Sequence, residues 1–299
     1  MSHVDREIAD QPACWRRALE LRPAGLPEEG ERVAVVGCGT SYYIAQAYAA
    51  LREAAGLGET DAFAASEYPA ARRYDRVLAI TRSGTTTEVL AALERTGGIP
   101  TVAVTGAPDT PVRRAAGTLV DLSFADERSV VQTRFATTAL VLLRAALGLA
   151  PADLPAQAER ALSEPLPEGA FDAGQFTFLG TGWTVGLAHE AALKLRETSG
   201  AWAESYPAME YRHGPISVTG PDSAVWFFGA PPPGLLDEIR ATGALAVTDA
   251  SVGAGVREPV DPLAGLVRAQ RLAVALAERR GLDPDRPRHL TRSIVLVES

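Results

Sequence analysis

Cysteine is nearly absent: Cys14 and Cys38 are the two in 299 residues. A disulfide framework is therefore excluded, and neither cysteine stands at metal-ligand spacing from a histidine, so no structural zinc, no other metal and no cofactor is expected. Long apolar runs are missing too. The longest, residues 137–150, is broken by Arg144 and falls short of the roughly 20 residues that cross a bilayer, so no membrane span is expected. The first residues, MSHVDREIADQP, carry acids early and lack the apolar stretch of an export signal, which makes the cytoplasm the expected location. Positive charge is in deficit, with a formal net charge of -8, so general attraction to nucleic acid is not expected, although a local anion pocket is compatible with it. No G-x-x-x-x-G-K-[ST] loop occurs, which removes the Walker type of nucleotide site. Lysine is the scarcest charge: of 29 basic residues one is lysine, Lys194.

What is present reads as a folded α/β chain. Hydrophobic residues make up 46% and charged residues 22%, enough apolar material for a core, and the length suits two domains of roughly 150 residues. Residues 4–21 have apolar positions at helical spacing, inside an N-terminal helical segment, 1–30. From Arg32 the text alternates Val/Ile-rich runs (VAVVG, RVLAI, TVAVTG, TLVDLS) with helical stretches, the signature of a parallel sheet covered on both faces. The first domain is placed at 31–150, a Pro-rich linker at 151–170 and the second domain at 171–299, with strands at SAVWFFG, ALAVTDA and SIVLVES and a helix from Pro262 to Arg280. VAVVGCGTSYYIAQAYAALRE from Val33 aligns without a gap with FTFLGTGWTVGLAHEAALKLR from Phe176, an offset of 143 residues. This internal repeat points to a duplication.

Two loops carry the phosphate-type chemistry. Gly37-Cys38-Gly39-Thr40-Ser41 sits where a strand hands over to a helix, so that Gly39, Thr40 and Ser41 face the crevice at the strand's end. A tight turn with a Thr/Ser cap would look the same. Thr81-Arg82-Ser83-Gly84-Thr85-Thr86-Thr87 follows the RVLAI strand with four threonines, a serine and a glycine in seven residues, a hydroxyl-lined cradle for a charged acceptor. Further on, Glu190, Lys194 and Glu197 stand at i, i+4 and i+7 on one helix face, where the ammonium can pair with either acid. A solvated salt-bridge face would have the same spacing. The single lysine of the chain lies between two carboxylates, which favours a balanced, base-competent Glu197. His213, in Arg212-His213-Gly214-Pro215, is at a turn signal that favours exposure.

GCGTS followed by SGTTTE resembles the sugar-phosphate isomerase (SIS) domain, and EAALKLRETSGAWAESYPAMEYRHGP resembles the isomerase half of glucosamine-6-phosphate synthase and the isomerase-type glucosamine-6-phosphate deaminases. The resemblance covers nearly the whole chain. It implies two doubly wound, flavodoxin-like parallel-sheet SIS domains in tandem. It implies phosphate and sugar contacts at Thr40, Ser41, Ser83 and Thr86, with Thr81 and Arg82 beside them, and a sugar-touching loop at Val131 and Gln132. Glu197 matches the base that moves a proton between C1 and C2, Glu190 and Lys194 its supporting pair, and His213 a ring-opening histidine supplied by the neighbouring subunit. A homodimer with shared active sites follows from that last point.

Two departures from the family pattern narrow the expected reaction. About 30 residues precede the first strand, so a glutamine-hydrolysing domain is not expected, and Arg292 in the tail stands where the synthase has a lysine. A guanidinium cannot form a Schiff base with a ketose, which leaves Arg292 a binding role and disfavours synthesis from fructose 6-phosphate. Reactions from the aldose side remain: isomerisation or deamination of glucosamine 6-phosphate, or β-elimination of water from N-acetylglucosamine 6-phosphate, the latter slightly preferred. A non-catalytic sugar-phosphate sensor is the other class. No room is seen for the DNA-binding domain of such a regulator.

Overall fold

The computed structural model describes residues 1–248 and 260–296. The helical pattern at the N-terminus resolves into two helices, α1 (His3–Ala9) and α2 (Gln11–Glu20). The break has a local cause: Pro12 lacks an N–H and is compatible with a first helical turn but not with an interior one, so the chain restarts at Gln11. By contacts the chain divides into two compact units, one of Asp10–Ala152 with the tail from His289, the other of Met1–Ala9 with Asp153–Arg288. The two helices thus belong to different units.

The first unit runs β1 (Val33–Gly37), α3 (Thr40–Ala54), β2 (Thr60–Ala64), β3 (Arg76–Thr81), α4 (Thr87–Glu94), β4 (Thr101–Thr105), α5 (Val112–Ala115), β5 (Thr118–Asp121) and α6 (Arg134–Ala146). Its five strands are all parallel, in the order β2-β1-β3-β4-β5. Ala34, Val36, Val77, Ala79 and Ala103 present one sheet face to Val89, Ala92 and Leu93 of α4, and all eight are buried. Small residues on the strands let the helix approach closely. Helix α2 is locked to α6 by a buried chain of hydrogen bonds: Trp15 Nε1 donates to Thr137 Oγ1 (3.0 Å), which donates to Gln11 Oε1 (2.7 Å).

In the second unit α7 (Leu154–Ser163), β6 (Gln175–Gly180), α8 (Thr184–Ser199), β7 (Trp202–Pro207), β8 (Ser223–Phe228), α9 (Leu235–Ala241), β9 (Leu245–Val247) and α10 (Pro262–Arg279) follow in turn. The sheet is again parallel, ordered β7-β6-β8-β9. The duplication persists at atomic level. A Cβ on Gly37 would lie 2.7 Å from the Ser41 carbonyl carbon, and one on Gly180 would lie 2.3 Å from the Thr184 carbonyl oxygen. In both halves the following helix therefore packs directly onto a strand-ending glycine, a contact that a side chain would prevent.

Two sequence expectations are corrected here. The stretch read as a linker, 151–170, holds α7, because Pro155 falls in the helix's first turn and Pro165 and Pro167 fall beyond its end. Arg271 Nη1 closes that end by donating to the carbonyls of Ala161 and Glu164, each at 2.7 Å. The final strand read at SIVLVES does not form over Ser293–Leu296, where the apolar side chains of Ile294, Val295 and Leu296 are exposed. Its last three residues lie outside the described residues, as do the last two of ALAVTDA. Strands β2 and β7 were not read from the sequence, since both are sheet edges without a continuous buried run. Among the described residues no helix is long and apolar enough to cross a membrane, and no group of three or more His, Cys, Asp or Glu is disposed to hold a metal.

Candidate active site

In the first unit the strand order reverses between β1 and β3, so the loops after those two strands open the crevice where open α/β sheets take ligands. These are the two loops picked out by sequence. Thr40 and Ser41 begin α3 and are buried, as are Thr81, Arg82 and Ser83, while Thr86 is half-buried. Gly84 adopts φ +62°, and a Cβ there would come within 2.1 Å of Thr110 Oγ1, so the loop is closed tightly on glycine. Its hydroxyls form a mutual set: Thr85 Oγ1 donates to Ser83 Oγ (3.1 Å), Ser83 Oγ lies 3.5 Å from Thr86 Oγ1, and Thr81 Oγ1 accepts from the Gly84 N–H (3.2 Å). Such rotatable donors can turn toward a charged acceptor.

Arg82 is placed differently from a phosphate ligand. Its Nη1 donates to the carbonyls of Ser129 (2.9 Å) and Val130 (3.2 Å), its Nη2 to the carbonyl of Arg292 (2.7 Å), and it lies 3.7 Å from the Glu127 carboxylate. Glu127 in turn accepts from Thr133 N, Thr133 Oγ1 and Arg134 N at 2.6–2.9 Å, fixing the start of α6. Val131 in this loop is buried, and Gln132 is half-buried with an Oε1 that has no protein hydrogen bond. Arg292 Nη2 contacts both Asp126 carboxylate oxygens (2.6 and 2.8 Å), and its Nη1 donates to the Glu127 carbonyl.

The tail also reaches the hydroxyl loop. Thr85 Oγ1 and Ser293 Oγ are 2.9 Å apart, Thr87 N donates to the Ile294 carbonyl, and Leu296 N donates to Thr87 Oγ1.

Cys38, within the first loop, has its thiol pushed up to about 11 by burial and then by the charge of Glu88. At pH 8 its thiolate is scarcer than that of a free thiol by a factor on the order of 10². Cys38 should therefore react with iodoacetamide about 100-fold more slowly than glutathione at pH 8. Labelling of Cys38 at a rate within tenfold of glutathione would contradict this.

The second unit has the same crevice geometry with different lining. Thr184 Oγ1 accepts from Thr181 N (2.8 Å) and lies within hydrogen-bond distance of the Thr181 (3.0 Å) and Phe228 (2.9 Å) carbonyls, and the loop after β8 reads Gly229-Ala230-Pro231-Pro232-Pro233-Gly234 without a hydroxyl. The acids are here instead. On α8 Lys194 Nζ lies 3.5 Å from Glu190 Oε1 and 2.5 Å from Glu197 Oε2. Glu190 and Lys194 are fully buried, whereas the Glu197 side chain keeps 20% of its surface. A solvated ion-pair face is thereby ruled out. The array is a buried acid and a buried ammonium that hold one partly open carboxylate. His213 ends a short 3-10 turn, Glu210–His213, and is exposed. His189, one position from Glu190, turns to Ser205 (2.8 Å), and its proton affinity is lowered by burial and by Arg196.

No family model matches the chain. A glutamine–fructose-6-phosphate aminotransferase (isomerizing) of Methanothermobacter thermautotrophicus is 30% identical over 97% of this chain and 57% of its own length. That of Yersinia pseudotuberculosis is 28% identical over 98% and 59%. The chain spans a little over half the length of these curated relatives. Among solved structures, a glucosamine-6-phosphate deaminase from Thermotoga maritima superposes with a TM-score of 0.81 at 25% identity, covering 99% of this chain and 100% of that one. The C-terminal domain of the aminotransferase from Francisella tularensis, 21% identical, gives 0.82 over 96% and 98% and supports the fold alone. The chain thus has two tandem subdomains of sugar-phosphate isomerase (SIS) fold and is related in sequence to the isomerase domain of the glutamine–fructose-6-phosphate aminotransferases.

Proposed function

We propose that the chain is an enzyme acting on an amino-sugar 6-phosphate, and that Glu197 takes the C2 proton of the opened aldose. The observation that carries this reading is the α8 array, in which Lys194 bridges a buried Glu190 and a partly open Glu197. A carboxylate fixed by an ammonium and still accessible has the geometry a general base needs. The hydroxyl loops of Thr40, Ser41, Ser83 and Thr86 suit the phosphate. Arg292, a guanidinium already paired with Asp126, offers no imine route for a ketose.

For glucosamine 6-phosphate the proton leaves C2 to Glu197 and is returned to C1, which converts the aldose to a 2-imine; water then adds and ammonia leaves, giving fructose 6-phosphate. The Thermotoga deaminase, matched over the full length of both chains, favours this course. If the nitrogen is acetylated, the same deprotonation can instead expel the C3 hydroxyl as water, leaving a C2–C3 double bond. That second reading draws on the arginine at position 292, which disfavours the synthase reaction while leaving C2 deprotonation intact. In this reading the exposed His213 serves ring opening in a second copy of the chain, as a homodimer with shared sites requires.

Proton NMR of glucosamine 6-phosphate, N-acetylglucosamine 6-phosphate and fructose 6-phosphate, each incubated with the protein, separates these outcomes. Ammonia with fructose 6-phosphate is the result expected from the first sugar. An olefinic signal from the second sugar alone would replace deamination by elimination. No change at C2 in any of them would reject the enzymatic reading and favour a sugar-phosphate sensor.

A further inference from the structure

We infer that Arg82 and Arg292 are positioning residues, which clasp the C-terminal tail and the 126–131 loop to the hydroxyl loop, and do not themselves bind the phosphate. The inference rests on reading residues 81–87 as the sugar-phosphate cradle.

Among the described residues the guanidinium of Arg82 faces three backbone carbonyls and the Glu127 carboxylate. Its side chain is 1% exposed. A phosphate dianion brought to this guanidinium would meet those oxygens and a buried carboxylate, so repulsion excludes it from the place where charge pairing would otherwise attract it. What the guanidinium does instead is join three segments that are distant in sequence. Its own backbone belongs to the hydroxyl loop, Ser129 and Val130 precede the Val131–Gln132 pair, and the Arg292 carbonyl belongs to the tail.

Arg292 supplies the second half of the clasp. Its Nη2 contacts both Asp126 oxygens while its Nη1 donates to the Glu127 carbonyl, a planar two-nitrogen contact with two partners that the single nitrogen of a lysine does not reproduce. This gives a physical reason for arginine at the position. With the tail held on both sides of residue 292, Ser293 reaches Thr85 and the Ile294 carbonyl takes the Thr87 N–H. The tail thus completes one wall of the hydroxyl loop.

Hydrogen–deuterium exchange on the unliganded protein tests this. Asp126→Asn and Arg292→Gln should each speed exchange in residues 83–87 and 292–296 by roughly five- to tenfold, the scale of one partly exposed ion pair. The double variant should add little, since both changes break one contact. Arg292→Lys should fall between wild type and Arg292→Gln. Unchanged exchange in both segments, or additive effects in the double variant, would overturn the clasp. Arg82→Gln should additionally loosen residues 129–131; if it fails to fold, the Asp126 and Arg292 variants still decide the question.

Calorimetric titration with glucosamine 6-phosphate separates positioning from ligation. Ser83→Ala should weaken binding with tail exchange unaltered, whereas Arg292→Gln should change both. A weakened affinity for Arg292→Gln with wild-type exchange would make Arg292 a ligand and overturn the proposal. A wild-type protein that binds neither this sugar nor inorganic phosphate would end the proposed function, while the exchange arm would still support the clasp.

Discussion

Glu197→Gln is expected to slow deuterium incorporation at C2 of glucosamine 6-phosphate in D₂O by about 10²- to 10⁴-fold, the usual contribution of a positioned base. The substitution is chosen to remove basicity and little else. Glutamine keeps the length of the side chain, and its amide oxygen can still accept from Lys194 Nζ, which now lies 2.5 Å from the carboxylate. The buried Lys194–Glu190 contact is untouched by the change. A fall of that size with retained sugar-phosphate binding would locate the loss in proton transfer. Exchange within threefold of wild type would take Glu197 out of the role, and the Asp and Glu side chains nearest the bound sugar would have to be searched again.

The hydroxyl loops and the charged helix face of this chain are more legible in the sequence than its element boundaries are. Hydroxyl-rich loops after Val/Ile-rich strands are legible because the parallel sheet forces ligands to strand ends, and the strand order then places the loops after β1 and β3 side by side. The i, i+4, i+7 spacing of Glu190, Lys194 and Glu197 was equally visible, but spacing cannot tell a buried face from a wet one. That distinction came from α8 being buried around Glu190 and Lys194. Arg82 shows a different limit. An arginine among threonines looks like a phosphate ligand, and nothing local in sequence announces that its acceptors come from residues 127–130 and 292. The tail shows the same limit: Ser293–Leu296 has the composition of a strand, yet its partners are the backbone of Thr87 and the hydroxyls of Thr85 and Thr87.

The duplication also explains a division of labour that neither half displays alone. Gly37 and Gly180 keep the same steric duty in both units, so the crevice architecture is common. The lining has diverged. Thr81 to Thr87 give the first unit its hydroxyls, while the prolines between Gly229 and Gly234 leave the second unit's loop after β8 without them and its α8 carries the acids. Fold conservation after duplication constrains the backbone contacts and leaves the loop tips open to change.

Lys194→Met is expected to destabilise the second unit by about 3–5 kcal/mol, the cost typical of removing one partner from a buried ion pair. The side chains of Lys194 and Glu190 are 1% and 0% exposed, so solvent cannot replace the missing ammonium, and the carboxylate of Glu190 would remain in a medium that disfavours its charge. In urea this corresponds to a midpoint lower by roughly 1–3 M. Two further measurements isolate the cause. The deficit should shrink as pH is lowered, because a proton on Glu190 removes the buried charge in the folded variant. The double variant Lys194→Met with Glu190→Gln should recover much of the loss, since a neutral pair of similar volume leaves no uncompensated charge. Glu197 would feel the same change: without the ammonium 2.5 Å away, its carboxylate loses the contact that fixes it, and C2 exchange should fall in the double variant even where stability returns. A single variant weakened by less than about 1 kcal/mol would mean that the array behaves as an exposed pair, and Lys194 would no longer account for how its neighbours are held.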